Sequence, residues 1–108
     1  PDSMRKAIES FAEIESENKI VILGDMLELG SRAQDEHLNV LRLLNSLGMG
    51  KVMLVGPVFK SLAKDFGYKT FNDADRLREY LILKPVEKAY ILVKGSHGMM
   101  LEKIYDVL

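Results

Sequence analysis

A chain of 108 residues with 47% hydrophobic and 29% charged residues is sized for one domain with its own core and is too apolar for a disordered segment. The net charge of −1, with Lys and Arg scattered among Asp and Glu, leaves no basic stripe and argues against nucleic acid or an anionic membrane as a partner. The absence of cysteine excludes disulfides, thiolate metal sites and a cysteine nucleophile, and it fits a cytoplasmic location. No apolar run approaches the length of a membrane span, and no basic segment followed by an apolar stretch marks a secretory signal. A first residue of Pro1 rather than Met reads as part of a longer polypeptide.

In chain order, Met4, Ala7, Ile8 and Phe11 follow the i, i+3, i+4, i+7 spacing of an amphipathic helix, with Asp2 or Ser3 as its cap. The run Lys19–Leu23 is nearly continuous in β-branched and aliphatic residues, as expected of a strand covered on both faces. His37, Val40, Leu41, Leu44 and Leu47 mark a second helix closed by Gly48, and Lys51–Val55 a second strand. Phe59, Leu62, Ala63 and Phe66 form a third helix stopped by Gly67. The more polar run Tyr68–Phe71 suits a strand near a sheet edge. Ala74, Leu77 and Leu81 follow on a fourth helix, capped by Asn72 or Asp73, with Pro85 beyond its end. Ala89–Val93 is the last strand, and Leu101, Ile104, Tyr105 and Leu108 lie on a final helix starting near Gly98. Strand and helix alternating in this way predict a three-layer α/β domain. The expected form is a Rossmann-like, mainly parallel sheet with helices on both faces and Lys19–Leu23 in a central place.

Ligands of open α/β sheets bind beyond the carboxyl ends of the strands, so the loops there carry the functional reading. The turn at Gly56-Pro57 reads as a tight strand-to-helix connection. Two other loops hold more chemistry. Gly24-Asp25-Met26-Leu27-Glu28-Leu29-Gly30 sets two carboxylates and several apolar residues between glycines. Lys94-Gly95-Ser96-His97-Gly98 sets a cation, a hydroxyl and an imidazole after the last strand. Carboxylates for an ammonium, with a cation and hydroxyl for a carboxylate, suit a zwitterionic amino acid or dipeptide. Each group also has a plainer role. Asp25 can accept backbone N–H bonds, Glu28 and Lys94 can sit in solvent, and Ser96 can cap a helix. His37 lies on the apolar stripe of its helix, which favours a buried, hydrogen-bonded histidine. There is no G-x-x-x-x-G-K-[ST] phosphate loop, no G-x-G-x-x-G after the first strand, no histidine pair at metal-ligand spacing and no nucleophile elbow.

Three segments resemble the Mur ligase family, in its D-alanyl-D-alanine-adding branch. Gly24 to Gly30 with His37 looks like "GDMxELG…H". Leu92 to Met99 with Glu102 looks like "LVKGSRxxxxE". Pro1-Asp2-Ser3-Met4 looks like the end of "YNANPxSM". The three fall in the family's order and cover essentially the whole chain.

The resemblance implies the C-terminal domain, residues 1–108, of a peptidoglycan-synthesising ligase whose N-terminal and central ATP-binding domains lie elsewhere in the polypeptide. Such an enzyme uses ATP and Mg²⁺ to turn the carboxylate of UDP-MurNAc-tripeptide into an acyl phosphate, which the amine of D-alanyl-D-alanine attacks. The missing phosphate loop is then expected, and so is an inactive isolated domain that binds no cofactor tightly and carries no catalytic or metal-binding residue of its own. On this resemblance Lys94, Ser96 and the N–H groups near Gly95 hold the dipeptide carboxylate, helped by the dipole of the final helix. Asp25 and Glu28 orient the ammonium or its loop, and Met26 and Leu29 pack on the alanine methyls. His97 stands where the family often has arginine, whose two-pronged hydrogen bond histidine does not reproduce, so its place among the substrate contacts is open.

Three alternatives remain at this point: a sister amide ligase of the Mur or folate type with another amino acid, a receiver-type phosphoacceptor domain, and a non-catalytic binding module.

Overall fold

The computed structural model describes residues 2–108; Pro1, the first residue of the "PxSM" segment, lies outside them. Four strands, β1 (Lys19–Gly24), β2 (Val52–Val55), β3 (Lys69–Phe71) and β4 (Tyr90–Lys94), form one sheet in the order β3-β2-β1-β4 with every pairing parallel. The expected central place of the first run is found, and β3 is at an edge as its polarity implied. The other edge is β4, whose Ile91, Leu92 and Val93 are only half-buried rather than covered on both faces.

Side chains alternate across the sheet. Val21 and Leu23 of β1, with Val52 and Leu54 of β2, face one core built on α1 (Asp2–Ala12), α2 (Ala33–Ser46) and α3 (Pro57–Leu62). Ile20, Ile22 and Val55 face the opposite core under α4 (Ala74–Leu83) and the closing 3-10 segment Leu101–Val107. The strands step outward from β1 to β3 on the first helix layer. The chain then returns to β4 past α4 on the second, as uniformly right-handed crossovers require. Layers, sheet and helix placement agree with the sequence expectation.

Three helices differ from the expectation. The third, α3, ends at Leu62, and Ala63–Phe66 is a separate 3-10 turn stopped by Gly67. Helix α1 already includes Asp2 and Ser3, so neither caps it from outside. Its far end is closed by a residue from the sheet. Lys19 Nζ donates to the carbonyls of Phe11, Ala12 and Ile14 at 3.3, 3.1 and 2.8 Å, satisfying acceptors at and just beyond the end of the helix. No continuous helix starts at Gly98. A single 3-10 turn, His97–Met99, is followed by Met100 in the left-handed region (φ 54°), and only then by the seven-residue segment Leu101–Val107. The α-helical N-terminus expected near Gly98 to help hold a carboxylate is therefore replaced by these 3-10 elements.

That segment is fastened to α4 by Arg78, whose guanidinium pairs with Asp106 (Nη2 to Oδ2, 2.9 Å) and donates to the Lys103 carbonyl. The hydrogen bond from Arg78 holds the Asp106 carboxyl below the usual aspartate range. A group whose folded value is lowered stabilises the fold above its unfolded value and loses that contribution as pH falls through the lowered one. Following the Asp106 carboxyl by NMR from neutral to acid pH should give a midpoint below that of an unpaired aspartate, and Arg78→Ala should return it to the ordinary range.

Candidate functional site

The acidic loop leaves β1 and the lysine loop leaves β4, and because these strands are neighbours, with Leu23 opposite Lys94, both loops open on one rim. They are joined directly. The Ser96 N–H donates to the Asp25 carbonyl (3.2 Å), and the Leu27 N–H donates to Ser96 Oγ (2.7 Å). Gly95 permits this approach, since a Cβ there would lie 2.8 Å from Gly24 Cα. A shallow hollow of about 190 Å³ lies across the junction, lined by Met26, Leu27, Leu29, Lys94, Gly95 and Ser96, with Ser3 and Met4 of α1 closing its side.

Lys94 is half-buried, and among the described residues it takes part in no salt bridge. Ser96 uses its oxygen as an acceptor for Leu27, which leaves its hydroxyl proton for another partner. Of the apolar candidates Met26 is almost wholly buried in the core and Leu29 is half-buried, whereas Leu27 is 44% exposed at the rim. Leu27 is thus the apolar side chain most available to a ligand, and it was not singled out from the sequence. Glu28 is exposed and held in the left-handed region at φ 65°, an uncommon place for glutamate. His97 is exposed and lines, instead of this hollow, a second one of about 240 Å³, shared with Lys94, Ser96, Glu102 and Tyr105.

Asp25 does not stand at the rim. It is fully buried, and its two oxygens accept the N–H groups of Val58 (2.8 Å) and Phe59 (2.9 Å). These are the second and third residues of α3. Its first residue, Pro57, has no N–H, and its cap, Gly56, has no side chain. Asp25 therefore caps a helix 33 residues away, and a direct contact with a ligand ammonium is replaced by a grip on the backbone of α3 that ties the loop to that helix. His37 lies beside it, also fully buried, with Nε2 3.8 Å from Asp25 Oδ1. That pair is not an ion pair in this arrangement, because Nε2 accepts the Met26 N–H at 2.9 Å and so carries no proton. The buried, hydrogen-bonded histidine expected from the helix stripe is what the structure contains.

Among the described residues no three His, Cys, Asp or Glu side chains stand close enough to hold a metal ion, and no helix is long and apolar enough to cross a membrane. A receiver-type domain has its first strand between the second and third, whereas here β1 lies between β2 and β4, and β2 runs into Gly56-Pro57 rather than an aspartate. The phosphoacceptor reading is set aside on that geometry.

Comparison with known proteins points the same way. Residues 1–97 match the family model described as "Mur ligase, glutamate ligase domain". The chain is 33% identical over 98% of its length to the UDP-N-acetylmuramoyl-tripeptide–D-alanyl-D-alanine ligase of Rickettsia prowazekii, and 32% identical over its full length to the enzyme of that name from Treponema pallidum. It spans about a quarter of the length of these relatives (24% and 25%). In fold it matches a crystal structure of MurF from Acinetobacter baumannii (TM-score 0.80, 24% identity, 98% of this chain and 24% of that one). It also matches the MurF ligase of Thermotoga maritima in complex with ADP (TM-score 0.77, 21% identity, 99% of this chain and 25% of that one).

Proposed function

The chain belongs to the Mur ligase family, and from that premise we propose that it is the C-terminal domain of an ATP-dependent amide ligase that adds D-alanyl-D-alanine to UDP-MurNAc-tripeptide in peptidoglycan synthesis. Residues 1–108 form the dipeptide-binding domain of a cytoplasmic enzyme whose N-terminal and central ATP-binding domains belong to the same polypeptide. The quarter-length match to the relatives supports this division. ATP would bind with Mg²⁺ on the central domain, and its terminal phosphoryl group would activate the tripeptide carboxylate, the metal neutralising phosphate charge.

The observation that carries the reading is the hollow where the two loops meet, with a lysine that has no carboxylate partner among the described residues, beside a serine hydroxyl proton and apolar side chains. Lys94 and Ser96 bind the dipeptide carboxylate, Gly95 brings the backbone close, and Leu27, Leu29 and Met26 receive the methyl groups. Exposed Glu28 faces the solvent side, where it attracts the ammonium before the amine loses its proton. The domain's contribution to rate is positioning, because fixing the amine in line with the acyl phosphate replaces a bimolecular encounter.

In the full-length enzyme Lys94→Ala should weaken use of D-alanyl-D-alanine by about 1.5–3 kcal/mol, the range for a hydrogen bond to a charged group. Steady-state kinetics with each substrate varied in turn checks this. An unchanged kcat/KM for the dipeptide overturns the assignment, and preference for a single amino acid over the dipeptide favours a sister ligase.

A further inference from the structure

We propose that His37 is a positioning residue for the dipeptide hollow, acting from beneath it as one fixed neutral tautomer; the inference rests on the ligase reading above. Its ring touches no ligand-facing surface, yet both nitrogens are committed to backbone. Nδ1 lies 2.6 Å from the Ala33 carbonyl, one turn back on α2, which requires a proton on Nδ1. Nε2 accepts the N–H of Met26 at 2.9 Å, which requires a lone pair there. The edge contact with Phe59 (centroids 4.6 Å apart, 72° between planes) fixes the ring's remaining freedom.

The bond to Met26 matters because it lies directly before the two strained or shared positions of the loop. The next N–H, that of Leu27, is the one that reaches Ser96 Oγ, and Glu28 after it is held in the left-handed region. A backbone carrying an uncommon conformation stays there only when its surroundings over-determine it. On one side of the loop the determinants are Asp25, tied to α3, and His37, tied to α2. On the other side stands Ser96. Without the acceptor at Nε2 the Met26 N–H is buried and unpaired, and the peptide planes that aim Leu27 at the lysine loop lose their anchor. His37 thereby sets the gap between Lys94 and the apolar rim, which is the dimension that a dipeptide must fit.

Two measurements test this. Nitrogen-15 NMR of the 108-residue chain at neutral pH should show a protonated, pyrrole-like Nδ1 and an unprotonated, pyridine-like Nε2 for His37. The reverse pattern, or a proton on both, overturns the assignment without reference to any substrate. In the full-length enzyme His37→Leu, which fills the site but removes the acceptor, should raise KM for D-alanyl-D-alanine about tenfold while KM for ATP and for the UDP-linked tripeptide stays within about twofold. His37→Gln, whose side-chain carbonyl can take the Met26 N–H, should recover most of that loss. Equal rises in all three KM values, or equal loss in the Leu and Gln variants, overturn the positioning role. An enzyme inert toward D-alanyl-D-alanine overturns the ligase reading and the dipeptide role with it, and the nitrogen shifts then report the hydrogen bonds alone.

Discussion

Asp25→Ala should destabilise the 108-residue chain by about 3–5 kcal/mol, a large share of the roughly 5–15 kcal/mol that a domain possesses. The size reflects the work of the carboxylate. It is fully buried and accepts two N–H groups at the start of α3, which has no other side-chain cap. Removing it leaves one buried donor (Phe59) and one part-buried donor (Val58) unpaired, each costing up to about 1–3 kcal/mol, together with the space the side chain filled. Asp25→Asn keeps one acceptor but turns an amide N–H toward a backbone N–H, so it should fall between the parent and the alanine variant. Urea unfolding of the three proteins gives the comparison. A loss below about 1 kcal/mol for Asp25→Ala would mean that water replaces the carboxylate without strain, and the helix-capping role would be withdrawn.

Gly56→Ala should be equally severe, at about 4 kcal/mol, from two sources. Gly56 has φ 120° and ψ 158°, a region that residues with a Cβ scarcely enter. A Cβ built there would also lie 2.3 Å from Asp25 Cγ and 2.4 Å from Oδ2. The second source disappears when Asp25 is alanine, so the two substitutions should not add. In the Asp25→Ala background Gly56→Ala should cost less by about 1 kcal/mol or more, which a double-mutant cycle by denaturant unfolding measures. Strict additivity would show that backbone conformation alone explains the glycine.

These two residues also mark where the sequence stopped being readable. Periodicity placed the four strands and the four α-helices, because each of those signals is local: Val21 and Leu23 against Ile20 and Ile22, or His37, Val40, Leu41 and Leu44 along one stripe. Proximity of the two loops was legible as well, since the carboxyl ends of neighbouring parallel strands share a rim. The partner of Asp25 was not, because a bond across 33 residues leaves no trace in spacing. A signal was present all the same. A helix opening with Gly56-Pro57 has no capping side chain of its own, and its free N–H groups must be satisfied from elsewhere in the fold. Leu27 was passed over in favour of Met26 and Leu29 because all three are apolar neighbours, and only the path of the backbone decides which of them faces outward. The break at Met100 was hidden for a related reason, since the apolar positions Leu101 and Ile104 fit a tight 3-10 segment as well as an α-helix.

The position of β4 at the border of the sheet has one more consequence. The acidic loop springs from β1, which is clasped on both sides, while the lysine loop springs from a strand with a single neighbour. One jaw of the hollow is thus built into the stiffest part of the molecule and the other is mounted on its selvage. Ile91, Leu92 and Val93 still pack on the two cores, but the exposed residue His97 beyond the strand can be exchanged without reopening the interior, so the lysine-bearing jaw is where a change of ligand preference can be engineered at least cost to folding.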